Sequence, residues 1–201
     1  PITEQISDQA IQILKEEGVA TENFCCDDSG TQSVADFIAS RIGNNLVRFN
    51  FSSKAPDLPV SVSNATLASK KYKNMVTFLY YTVLEYAGRG QIKGLPRSAA
   101  EQMCKRRLGN VHQPLLIESK KDANKLLKGK SPDEGDACSM LAGMARIKLG
   151  IAPGATEWAP GGAIPATAQA ADQEAIKRFN NIETTYENSE ISVDVGYTSQ
   201  V

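Results

Sequence analysis

The run Ser131-Pro132-Asp133-Glu134 constrains this chain more than any other stretch. It joins an N-cap hydroxyl, a proline whose missing N–H costs nothing at the first helical position, and carboxylates where the helix dipole favours negative charge. A helix must start there. Its apolar positions Ala137, Met140, Leu141, Met144 and Ile147 recur at three and four and carry it to Gly150.

The same punctuation divides the rest of the chain. Residues 3 to 17 place Ile6, Ala10, Ile13 and Leu14 at helical spacing and stop at Gly18, a suitable C-cap. Phe24, Cys25 and Cys26 then form a short apolar run that ends in Asp27 and Asp28, the pattern of a buried strand delivering acids at its C-terminal end. Ser33 and Asp36 are spaced as a capping box for a helix with Val34, Phe37, Ile38 and Ile42 inward and Gly43 at its close. Val47, Phe49 and Phe51 alternate with Arg48 and Asn50, which predicts a strand with one wet face. Residues 57 to 69 read as loop. From Lys70 to Ala87 the spacing of Tyr72, Met75, Val76, Leu79, Val83 and Tyr86 predicts one long helix, its aromatic stripe in the core. Ser98 and Glu101 predict a helix reaching Leu108 and Gly109, and Leu115 to Ile117 another buried strand. Helix and strand alternate, so the expected class is an α/β layer fold.

A chain of 201 residues with 41% hydrophobic content can bury one sizeable core. Residues 151 to 172 are dominated by Ala, Pro, Gly and Thr and the remainder shows little periodicity, so the expected division is a folded domain over 1–150 and a disordered C-terminal tail over 151–201. No apolar run approaches the roughly 18 residues a spanning helix needs, and the first residues do not resemble a signal peptide, so no membrane partner and an intracellular setting are expected. The first residue, Pro1, implies a chain that is processed, trimmed or incompletely represented. Cys25, Cys26, Cys104 and Cys138 form no CxxC pair and read as reduced thiols.

Absent motifs exclude several chemistries. There is no GxxxxGK[ST] loop, which excludes an ATPase within these residues. The single histidine, His112, lies in a connection beside Gln113 and Pro114, where a solvent-exposed role outweighs membership of a Ser/His/Asp or Cys/His site.

The net charge of -1 conceals segregation: residues 67–130 carry 14 Lys/Arg against 4 Asp/Glu, while both flanks are acidic. Lys70, Lys71, Lys73, Lys105, Arg106, Arg107, Lys120, Lys121, Lys125, Lys128 and Lys130 supply what phosphate-backbone binding requires, or a set of solvated helix faces. Two acidic pairs, Asp27/Asp28 at a strand end and Asp133/Asp136 in the first turns of a helix, are candidates for a site holding Mg2+ or Mn2+, because hard cations take carboxylate oxygens converging from different elements. The same residues also suit plainer tasks, since acids in a first helical turn favour the dipole and Asp-Asp-Ser-Gly is good turn chemistry.

Three segments in order resemble the nuclease domain of phage terminase large subunits. Cys26-Asp27-Asp28-Ser29-Gly30 through Val34-Ala35-Asp36 resembles the family's second acidic motif, Tyr72-Lys73-Asn74 its helix-opening Tyr-Lys-Asn, and Ile117-Glu118-Ser119-Lys120 followed by Ser131-Pro132-Asp133-Glu134-Gly135-Asp136-Ala137 its closing pattern. The likeness covers roughly residues 1–150. It implies an RNase H-like mixed sheet flanked by helices, with Mg2+ or Mn2+ on Asp27 and Asp133, Asp28 and Asp136 as adjacent candidate ligands, and Lys120 near the acids or the scissile phosphate. It also implies double-stranded DNA as substrate, the portal protein and small terminase subunit as partners, and the host cell cytoplasm as location. The family's earlier strand with another essential Asp, and its ATPase domain, have no counterpart in these 201 residues, and Gln32 stands where the family often has a second Gly. The alternatives are another RNase H-like nuclease of the Holliday-junction resolvase type, or a catalytically incomplete DNA-binding or portal-docking module.

Overall fold

Cys25, Cys26 and Asp27 point alternately to opposite sides of a strand, and that alternation organises the molecule. In the computed structural model, which describes residues 2–30 and 33–155, the elements are α1 (Ile2–Glu16), β1 (Cys25–Asp27), α2 (Val34–Ile42), β2 (Val47–Phe49), α3 (Ala68–Lys71), α4 (Met75–Gly88), α5 (Arg97–Cys104), β3 (Leu108–Asn110), β4 (Leu116–Ile117), α6 (Lys120–Leu126) and α7 (Asp133–Ile147). The class is mixed α/β. β1 and β2 are parallel, with Cys25 opposite Val47 and Asp27 opposite Phe49. Cys26 packs into a cluster with Ile11, Ile38 and Leu46 beneath α1 and α2. Cys25 packs on the other side, with Phe49, Leu79, Met140 and Met144. Helices therefore cover both faces of this small parallel sheet, as parallel strands require.

The central helix is α4, whose buried residues, including Val76, Phe78, Tyr80, Val83 and Tyr86, go round most of its circumference. α7 packs against it at Gly143, where a Cβ would overlap Leu79 Cδ2 and press on Phe49. Beyond the end of α7, Lys148 Nζ donates to the Glu22 carbonyl just ahead of β1.

Several boundaries differ from expectation, each for a local reason. The helix expected from Lys70 is interrupted: Tyr72 is extended and bridges Leu115, and Asn74 caps α4, its Oδ1 accepting from Thr77 N at 3.2 Å and Thr77 Oγ1 at 2.6 Å. The helix expected to reach Leu108 stops at Cys104, because Leu108 and Asn110 pair antiparallel with Ile117 and Leu116. α6 was not anticipated; the Ser119 hydroxyl caps it, accepting from Asp122 N at 3.2 Å. On α1 the buried positions are Ser7, Ile11 and Leu14, while Ile6 and Ile13 are exposed. Ser7 tolerates burial because its hydroxyl donates to Thr3 O at 2.7 Å. The capping box of Ser33 and Asp36 forms as spaced.

Residues 151–155 pack on the core: the Tyr86 hydroxyl donates to Ile151 O at 2.6 Å, and Val62 N to the carbonyl of the fully buried Pro153 at 2.9 Å. The rest of the expected tail, 156–201, lies outside the described residues. No helix among the described residues is long and apolar enough to cross a membrane.

Candidate functional site

Asp133 and Asp136 begin α7 and lie one turn apart, yet their surroundings differ. α7 opens one residue later than expected, with Pro132 at the N-cap, which frees the Ser131 hydroxyl to donate to Asp133 Oδ1 at 2.6 Å. Lys120 Nζ donates to the same oxygen at 3.0 Å. The Ser131 hydrogen bond first, and Lys120 second, outweigh partial burial and hold the Asp133 carboxyl below its ordinary pKa. Its side chain remains 74% exposed.

Asp136 turns inward. Its Oδ1 accepts from the Tyr80 hydroxyl at 2.7 Å and from Arg106 Nη1 at 2.9 Å, both partners buried with it. Arg106 also lies 4.6 Å from the Tyr80 ring centre, a cation–π contact. Burial chiefly, with Asp136 adding to it, pushes the Tyr80 hydroxyl well above the usual phenol range, so it is a fixed donor at neutral pH. Lys120 Nζ stands 3.1 Å from Asp136 Oδ2, but outside hydrogen-bonding alignment, so that oxygen is paired by charge alone. Burial lowers the Lys120 pKa, and the two carboxylates more than reverse that, leaving a firmly charged ammonium between them.

The other acidic pair is split by the strand. Asp27 follows Cys25 by two residues and so belongs to the face that α7 covers. Its Oδ1 accepts from Ser29 N at 2.8 Å, an Asx turn. Asp28 engages the α2 side: it accepts from the Ser33 hydroxyl at 2.8 Å and pairs with Arg48 at 3.4 Å. Arg48 in turn binds Asp36 at 2.7 Å. Asp27 thus belongs to the face on which Met140 and Met144 of α7 pack, and Asp28 to the α2 side. Among the described residues no hydrogen bond or ion pair joins Asp27 to the α7 acids, and no group of three or more His, Cys, Asp or Glu could hold a metal ion.

The basic middle segment is also divided. Arg106 is buried on Asp136, Lys71 lies near Glu85 and over the Tyr72 ring, and Lys120 bridges the α7 acids. Lys105, Arg107, Lys121, Lys128 and Lys130 are exposed. Tyr80 and Arg106 were missed as site residues: Tyr80 lies outside the apolar stripe read on α4, and Arg106 reads as one basic residue among many. His112 is exposed, as its place in a connection implies. Comparison with protein family models, with curated proteins and with solved structures finds no match.

Proposed function

We propose that this chain is the metal-dependent nuclease domain of a viral DNA-packaging terminase, cutting concatemeric double-stranded DNA. What supports the reading is the placement of Asp27 at the end of β1, on the face that α7 covers, together with the Asp133/Asp136 pair in the first turn of α7. Carboxylates from a strand end and a helix start are the donor set a hard divalent ion such as Mg2+ or Mn2+ uses. The residues present are compatible with such an ion: Asp133 is exposed, and Lys120 already supplies a positive charge at the position where a cation would balance the two acids. Asp27 and Asp133 would be the principal ligands, with Asp136 held behind by Arg106 and Tyr80. A bound ion supplies an activated water and charge stabilisation at the phosphodiester. Lys120 would then be released from the carboxylates toward the phosphate. Asp28, engaged with Ser33 and Arg48 on the other face, supports β1 rather than binding metal. Exposed Lys105, Arg107, Lys121, Lys128 and Lys130 would grip the DNA backbone without reading bases. The portal protein and small terminase subunit remain proposed partners, and the host cytoplasm the proposed location, on the resemblance alone.

One observation favours a second reading, a nuclease-incompetent DNA-binding module: Lys120 neutralises the acidic pair without any metal. Plasmid nicking in Mn2+, by a polypeptide containing this chain, separates the two. On the nuclease reading Asp133→Asn and Asp27→Asn each abolish nicking while DNA binding persists. Nicking that survives both substitutions, or DNA binding with no nicking by the unsubstituted protein, refutes it.

A further inference from the structure

A second feature of the fold is an open apolar groove of about 480 Å³, within the ~300–1,000 Å³ range of binding pockets. Val83 and Tyr86 of α4, Ile92 and Leu95 of the connection that follows, Leu141 of α7 and Ile151 line it. Lys93 is the one charged side chain among its lining residues. Leu141 is 55% exposed there, an apolar surface whose burial would be favourable.

The chain itself is fastened to the rim of this groove. Gln91, a lining residue, accepts from Gly154 N at 2.7 Å and donates to Ala155 O at 3.1 Å. Ala155 is the last described residue, and 46 residues follow it in the 201-residue sequence. The first large apolar residue beyond it is Trp158, the only tryptophan, preceded by Glu157. Three residues of extended chain span roughly 10 Å, which brings an indole from the tethered Ala155 within reach of the groove. We propose that the groove is the docking site of Trp158 of the same chain, with Glu157 facing Lys93. A short tether raises the local concentration of the indole, and an aromatic of this size buries more apolar surface than any other side chain between Ala155 and Ile164. The inference is independent of the nuclease reading.

Because Trp158 is the sole tryptophan, the fluorescence of the full 201-residue chain reports on this contact alone. Docking predicts emission blue-shifted from that of a peptide spanning residues 155–162, and several-fold weaker quenching by acrylamide. Leu141→Glu, at an exposed position, should return both readings to those of the peptide with the circular dichroism of the helices unchanged. Lys93→Glu should weaken the protection, and Lys93→Glu with Glu157→Lys should restore it, a readout that survives should Leu141→Glu misfold. Peptide-like emission in the unsubstituted chain overturns the proposal, as does protection unmoved by both groove substitutions. Protection that disappears on dilution together with a dimer mass also overturns it, and assigns the groove to a second copy.

Discussion

Asp133 and Asp136 carry the same functional group three residues apart, but one is a surface carboxylate and the other the buried counter-charge of Arg106. Their side chains are 74% and 6% exposed, and that of Arg106 4%. Asp136→Asn leaves Arg106 buried without its anion, and breaking such a pair costs about 3–5 kcal/mol. Asp133→Asn removes a solvent-screened contact and should change stability by no more than about 0.5 kcal/mol. Urea unfolding of both variants checks this, and comparable losses at the two positions would show that burial does not separate them. Loss of nicking in an Asp136 variant therefore speaks to folding as much as to chemistry, while Asp133 tests chemistry alone. The pH dependence at Asp133 has a definite sign. Its carboxyl is depressed in the folded state, so its stabilising contribution is complete above the ordinary carboxyl value of about 4 and is lost as pH falls through the lower folded value. Since both the Ser131 hydroxyl and Lys120 lower it, Ser131→Ala and Lys120→Gln should each raise the Asp133 titration midpoint. An NMR titration of the side-chain carboxyl decides it, and a midpoint unmoved by either substitution would show that the contact removed does not hold the carboxylate.

At the scale of elements, the contact of α7 with α4 and β2 depends on one missing side chain. Gly143 lets Leu79 and Phe49, both buried, reach the α7 backbone. Alanine is the better helix former by about 1 kcal/mol, so propensity alone predicts that Gly143→Ala stabilises. Overpacking a full core costs about 1–3 kcal/mol, and here the overlapping atom belongs to a side chain with no solvent to retreat into. The net effect should be destabilising, and larger for Gly143→Val. Thermal melts of the two variants test it, and a raised midpoint for Gly143→Ala would mean that Leu79 repacks freely.

At the scale of the whole molecule, residues 151–155 belong with the folded part. Pro153 is fully buried and receives Val62 N, Ile151 receives the Tyr86 hydroxyl, and Gln91 clamps Gly154 and Ala155. A chain ending at Gly150 should therefore melt at least about 2 °C below one ending at Ala155, since a loss near 1 kcal/mol moves the midpoint by that much in a domain of this size. Coincident melts would place the end of the core at Gly150.

What the sequence by itself determined is whatever chain-local chemistry suffices to decide. The capping box of Ser33 and Asp36, the break at Gly18, the acids delivered at the end of β1 and the proline-led start of α7 depend on neighbours within four residues. Tyr72 lies in the stripe read as one helix from Lys70, and only its bridge to Leu115, some forty residues away, holds it extended. Ile6 and Ile13 have the spacing of a buried face, and only the docking of α1 on α2 put Ser7 and Ile11 inside instead. The candidate site divides in the same way. Its carboxylates could be named from sequence, because an acid at a strand end or in a first helical turn is a local pattern. That Asp28 faces α2, that Arg106 and Tyr80 enclose Asp136, and that Lys120 bridges Asp133 and Asp136 were decided only by tertiary structure. Charge pairing and burial act across space, between residues 13 to 56 positions apart in the chain, and leave no periodicity to read.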